Sequence, residues 1–93
     1  MIRSFADTAT QKVWTRRRVA RLGPDVQRMA QRKLRQLNAV EHLEDLRIPP
    51  GNRLEKLQGD RVGQYSIRVN DQFRICFRCT PAGPEDVELV DYH

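Results

Sequence analysis

Two cysteines in 93 residues are too few to staple a disulfide scaffold, and both fall in one short stretch, Cys76 and Cys79. No apolar run approaches the roughly 20 residues that a membrane-spanning helix requires, which excludes a transmembrane protein. The opening stretch, MIRSFADTAT, has no apolar signal-peptide core, so secretion is not expected. Five glycines and five prolines, with charge spread along the chain, are a poor match to a disordered segment. Two histidines leave little from which to build a metal site. What remains is one small domain over residues 1–93, expected to be soluble and cytoplasmic.

Lysine is scarce as well: 14 of the 17 cations are arginine, and the formal net charge is +5. Arginine's planar fork meets a phosphate or carboxylate on two prongs, where lysine offers a point charge. The charge is uneven. Residues 12–35 hold nine basic residues against Asp25 alone, a local balance of +8, whereas residues 36–93 are acidic on balance. Such a stretch fits a nucleic acid or an acidic protein partner, and equally a solvated helical surface.

Residues 1–5 read as a short strand, followed by Asp7 as an N-cap for a helix with Ala9, Val13 and Trp14 on one side. That helix is expected to fail in Arg16-Arg17-Arg18. Gly23-Pro24 is a start signal, after which Val26, Met29, Ala30, Leu34, Leu37 and Val40 recur at spacings of three and four. This stripe predicts a second helix over about 24–42, with Arg28, Arg32 and Arg35 off the stripe. Ile48-Pro49-Pro50-Gly51-Asn52 then breaks the chain. Beyond it the period becomes two: Tyr65, Ile67 and Val69, then Phe73, Ile75, Phe77 and Cys79, with Val87–Val90 as a last strand. The expected fold is α+β, in the order β-α-α-β-β-β, with two helices on one face of a small antiparallel sheet.

The loop Asn70-Asp71-Gln72 fixes the hairpin. A two-residue turn would set the apolar row of one strand beside the polar row of the next. A three-residue loop pairs Val69 with Phe73, Arg68 with Arg74 and Ile67 with Ile75, keeping both apolar rows together. Arg68 then faces Arg74 on the side away from the helices, with Arg78 further along the same row. Like charges directly opposite are unfavourable on a sheet, so either an anion bridges them or the two side chains splay into water. On that polar face, replacing Arg74 by alanine is expected to leave the fold intact.

Several motifs carry no chemistry. Cys76-Phe77-Arg78-Cys79 matches C-x-x-C, but strand positions three apart point to opposite faces, so no joint metal or disulfide site follows and Cys79 reads as core. Gly59 and Gly63 flank a turn and lack the Gly-Lys-Ser/Thr of a phosphate loop. His42 reads as a favourable charge at the end of the second helix. Asp91-Tyr92-His93 is a compact set of groups able to exchange protons, tethered by Val87, Leu89 and Val90. It is either a frayed end or functional.

The element order, the "NDQFRICF" strand, the "GDRVGQYSIRV" segment and the terminal "VDYH" together resemble HigB-type toxins of the RelE superfamily. The resemblance covers essentially the whole chain. The run from Pro49 to Glu55, with "SIRVND" and "VDYH", is most similar to the branch exemplified by the GraT toxin. The resemblance implies a RelE-like fold and a type II toxin–antitoxin toxin that is a ribosome-dependent messenger-RNA endonuclease. It implies no metal or other cofactor, and a helix-turn-helix, HigA-like antitoxin as partner, through which alone operator DNA is contacted. The matching positions are Arg74, at the scissile phosphate, and Asp91, Tyr92 and His93. Arg68, Arg78, Arg61 and Lys56 are candidate RNA-phosphate contacts.

Metal-free RNA cleavage needs the 2′-hydroxyl deprotonated, the crowded phosphate's charge stabilised and the 5′-oxygen protonated. An arginine supplies the second, and Asp91, Tyr92 and His93 are suited to the others. The chain departs from the family's "HPLKG" segment, where it has Glu55-Lys56-Leu57-Gln58-Gly59. Glu55 stands in place of the histidine and can act as a base, while Gln58 removes a cation. A weakened nuclease is the expectation. A non-catalytic binder of a ribosome or protein partner, neutralised by its antitoxin, is the alternative, and a gyrase inhibitor on the same fold is a third reading.

Overall fold

The computed structural model describes residues 1–92; the expectation placed on His93 lies outside the described residues. Asp7 caps the first helix, α1 (Thr8–Trp14), by accepting from the Thr10 backbone N–H at 2.9 Å. The helix ends where the arginine run begins, and Arg16 turns left-handed at φ 63°. Pro24 opens α2 (Pro24–Ala39), which stops at Ala39 rather than 42 because Val40 is already extended. From the expected stripe, Ala30, Leu34 and Leu37 are fully buried, while Met29 is exposed at its edge.

Short 3-10 turns, Leu43–Arg47 and Pro50–Asn52, carry the chain to a two-residue strand, β1 (Glu55–Lys56). The sheet continues with β2 (Gln64–Arg68), β3 (Phe73–Thr80) and β4 (Gly83–Asp91), all antiparallel in the order β1-β2-β3-β4. The hairpin register is Arg68 opposite Arg74 and Ile67 opposite Ile75, as the three-residue loop requires. Asn70 fixes that loop: its Oδ1 accepts from the N–H groups of Gln72 at 2.9 Å and Phe73 at 2.7 Å.

Val13, Leu22, Leu34, Leu37 and Leu46 pack against Ile67, Phe73, Ile75, Phe77, Val87 and Leu89, the face that the alternation assigns to the core. The buried Thr10 hydroxyl accepts the Leu89 N–H at 2.9 Å and ties α1 to β4. No helix is long and apolar enough to cross a membrane among the described residues.

Three expectations need correction. Residues 1–5 do not form a strand; they run extended beside β4 and make one parallel bridge, Phe5 to Val87. Two features prevent a longer ladder: the pairing of β4 with β3 shifts register near Asp86, itself at φ 52°, and the chain turns at once into the Asp7 cap. Cys79 is exposed and Cys76 fully buried, the reverse of the alternation. Cys76 lies on the sheet face opposite the helices, which other side chains cover. His42 does not sit on the end of α2; it is the N-cap residue of the Leu43–Arg47 turn, and its backbone N–H donates to Asp45 Oδ2 at 3.2 Å.

Candidate active site

The face of the sheet away from the helices is not bare. At its centre is Arg74, only 7% exposed. Its Nε donates to Ser66 Oγ at 2.8 Å and its Nη2 to the Arg53 carbonyl at 2.6 Å. Its Nη1 stands 4.0 Å from Glu55 Oε1. The guanidinium lies 5.7 Å from the centroid of the Tyr92 ring, within reach of a cation–π contact. Arg68, directly opposite, turns away into an ion pair with Asp71. The two facing guanidiniums do not simply splay into water: each has a partner within the protein, Asp71 for Arg68 and Ser66 with the Arg53 carbonyl for Arg74. The solvent-facing position expected for Arg74 is corrected accordingly.

Around this arginine is a pocket of about 280 Å³, lined by Arg53, Glu55, Arg68, Asn70, Asp71, Arg74 and Tyr92. It gathers residues from the loop before β1, the β2–β3 hairpin and the end of β4. Glu55 reaches it because β1 pairs Glu55 with Ser66, the residue that holds Arg74 Nε. Tyr92 is held there by its backbone N–H, which donates to the Gln72 carbonyl at 2.6 Å. Asp91, opposite Phe73, accepts from Gln72 Nε2 at 3.0 Å next to the pocket.

The remaining sequence candidates lie elsewhere. Arg61 bridges Gln64 and Glu88, at 3.0 and 3.1 Å. Arg78 pairs with Asp86 at 3.5 Å. Lys56 is exposed next to Glu55, on the alternate face of β1, and does not line the pocket.

Sequence reasoning missed Arg53 and its support. Asn52 is fully buried. Its Nδ2 donates to Gln36 Oε1 at 3.2 Å and to the Leu46 carbonyl at 3.0 Å, while its Oδ1 accepts from Lys33 Nζ. The "PPGN" run that carries it looked only like a break between helix and strand. Partial burial, then the charges of Arg32 and Arg68, hold the Lys33 ammonium below its usual range. Burial pushes the Cys76 thiol up. Among the described residues no group of three His, Cys, Asp or Glu side chains is placed to hold a metal ion.

A second, larger cavity of about 530 Å³ lies on the helical side, lined by Arg16, Arg18, Arg28, Arg32 and Arg35 with Val13, Pro24 and two glutamines. It has no carboxylate among its lining residues and so lacks an acid–base pair.

Two helices on a four-stranded antiparallel sheet make an α+β, RelE-like architecture. It is similar to a chain of the YoeB–YefM complex from Staphylococcus aureus, with a TM-score of 0.63 and 16% identity over all of this chain and 95% of that one. Residues 3–93 match the model of the HigB-like toxins, described as the RelE-like toxin of the type II toxin–antitoxin system HigB, and the chain belongs to that family. It is 55% identical over 47 residues to Toxin HigB-1 of Vibrio cholerae serotype O1, covering 50% of each chain. An uncharacterized protein of Haemophilus influenzae is 47% identical over 47 residues, 50% of this chain and 46% of that one. The matched segment spans about half the length of these curated relatives.

Proposed function

We propose that this toxin is a ribosome-dependent messenger-RNA endonuclease, acting without a metal ion and weaker than family members that carry the "HPLKG" segment. The observation that carries the reading is the convergence of Glu55, Arg74 and Tyr92 on one pocket from three separate segments. In the reaction the ribose 2′-oxygen attacks the adjacent phosphorus and the bond to the 5′-oxygen breaks. A base takes the 2′-proton and an acid returns one to the leaving oxygen. Arg74, fixed by Ser66 and the Arg53 carbonyl, offers its Nη1 edge to the phosphate oxygens where charge accumulates. Glu55, beside that edge, is placed to accept the 2′-proton. Tyr92 stacks on a base or orients the nucleotide, and Asp91 and His93 complete the proton-transfer set.

The partners in this reading are a translating ribosome with its mRNA and a HigA-like helix-turn-helix antitoxin. Operator DNA is reached only through the antitoxin, and the setting is the cytoplasm. Within the family, the Pro49–Glu55 run supports a relation to the GraT branch. Mapping RNA 5′ ends after brief expression tests the activity. New ends within translated coding regions, lost with Arg74→Lys, are expected.

One observation favours a second reading. The arginine-lined cavity on the helical side fits a polyanion without offering any chemistry. In that case growth arrest occurs with no new 5′ ends, and the toxin is a non-catalytic binder of the ribosome or another partner.

A further inference from the structure

The pocket holds three guanidiniums, and two are already committed. Arg74 is buried and uses Nε and Nη2 on Ser66 and on the Arg53 carbonyl. Arg68 is ion-paired with Asp71. Arg53, the third, is exposed at the pocket wall.

We propose that Arg53 is the pocket's phosphate-binding arm, contacting a backbone phosphodiester of single-stranded RNA beside the one that meets Arg74. The inference rests on the RNA reading above and adds a residue to it. Three features support it. The first is charge: three arginines against Glu55 and Asp71 leave the pocket at 3 − 2 = +1, which one phosphodiester anion neutralises.

The second is that the Arg53 backbone is fixed at both ends. Its N–H donates to the Pro50 carbonyl at 3.1 Å, and its carbonyl accepts from Arg74 Nη2 at 2.6 Å. The residue before it, Asn52, is anchored to α2 through Gln36 and Lys33. A guanidinium carried on so fixed a base loses less freedom on binding than one on a loose loop. The third is conformation. Arg53 is left-handed at φ 46°, ψ 55°, a region that costs an L side chain and is occupied mainly where the surroundings impose it.

Arg74 thereby has two functions, one direct and one through the Arg53 backbone. Removing the Arg53 side chain leaves that carbonyl in place and should cost one phosphate contact only, whereas removing Arg74 also frees the Arg53 backbone.

The test is binding of a fluorescent single-stranded RNA, 2′-O-methylated throughout so that it resists cleavage, by the purified chain across a salt series. Arg53→Asn and Arg53→Gly both tolerate positive φ and remove the charge; Arg53→Lys restores a cation. Loss of one phosphate contact should reduce the slope of log K against log salt by about 0.7. Affinity should fall several-fold at low salt and converge with wild type at high salt. Arg53→Lys should keep the slope, and melting curves should confirm that the variants are folded. If wild type binds and both charge-removing variants keep its slope, the Arg53 assignment is overturned while the RNA reading stands. If wild type does not bind this RNA, the Arg53 assignment falls, while ribosome-dependent cleavage is decided separately by the 5′-end mapping.

Discussion

Arginines crowd two regions of this molecule, and the regions treat them in opposite ways. On the helical side, Arg16, Arg18, Arg28, Arg32 and Arg35 surround a cavity, all exposed, and among the described residues Arg28 alone of them is ion-paired, to Asp25. On the far face of the sheet, Arg61, Arg68, Arg74 and Arg78 each have a carboxylate partner, and Arg74 is buried. The helical region has the greater charge density and the larger cavity, yet it can only attract. The sheet region has less net charge, but its guanidinium is desolvated, oriented and set beside a carboxylate and a phenol. On the proposed reading, charge density marks where the RNA is drawn and fixed geometry where it is cleaved.

The sharpest way to break this contrast is at Arg74. Because the side chain is buried and hydrogen-bonded, Arg74→Ala should abolish growth inhibition and also destabilise the domain. The loss of charged hydrogen bonds to Ser66 and the Arg53 carbonyl is worth about 2–3 kcal/mol, or roughly 10 °C in melting temperature for a domain of this size. Arg74→Lys keeps the charge, loses the fork and should retain more stability than alanine, with activity still lost. A folded Arg74→Lys protein that arrests growth at wild-type strength would mean that charge alone, and not geometry, distinguishes the sheet face.

A smaller structural effect with a large functional one is expected at the carboxyl end. Deleting Tyr92 and His93 removes the Tyr92–Arg74 contact and one backbone hydrogen bond while leaving β4 in place through Asp91. The stability cost should be about 1 kcal/mol, because the ring is half exposed. Growth inhibition should disappear. Retained inhibition in the folded deletion would leave Glu55 as the remaining proton acceptor in the pocket.

On the helical side, Arg28→Ser, Arg32→Ser and Arg35→Ser combined should shift the melting temperature by only a few degrees, since they remove one exposed ion pair, Arg28–Asp25, and a few tenths of a kcal/mol of helix propensity at each position. The same triple variant separates the two functional readings. A nuclease centred on the sheet pocket keeps its 5′-end pattern, whereas a non-catalytic binder that docks through the helices loses growth inhibition.

Much of this was legible in the sequence, for identifiable reasons. The Asp7 cap, the Pro24 start and the α2 stripe are local signals, and the hairpin register followed from requiring both apolar rows on one face. The other face was not legible. Alternation says that Arg74 and Cys76 point away from the helices. It does not say that the Arg53 carbonyl is brought to Arg74, because that approach depends on Asn52 bonding to α2 residues 16 and 19 positions earlier. A polar row read as solvent-facing therefore became the wall of a pocket. Arg53 went unremarked for the same reason: its importance comes from a backbone conformation and a distant guanidinium. The first five residues failed as a strand because β4 is irregular where they would have paired.

The least effect at neutral pH, and a direct check that the far face is covered, comes from the two thiols. Cys79 is exposed and should react with a maleimide in the native protein; Cys76, buried on the face that also holds Arg74, should react only when the domain opens. The Cys76 thiol is pushed above its ordinary value of 9.0, mainly by burial. In the folded state it therefore keeps its proton at pH values where the unfolded chain has begun to lose it. Its contribution to stability is full below about pH 9 and declines as pH rises through the folded-state value. Cys76→Ala should consequently flatten the alkaline end of the stability profile. Equal labelling rates for the two thiols in the native protein would mean that the far face of the sheet, which holds Arg74 and the Arg61–Glu88 pair with Cys76, does not stay closed. Arg74 would then not be held in one geometry, and the contrast between the two arginine regions would reduce to one of charge alone.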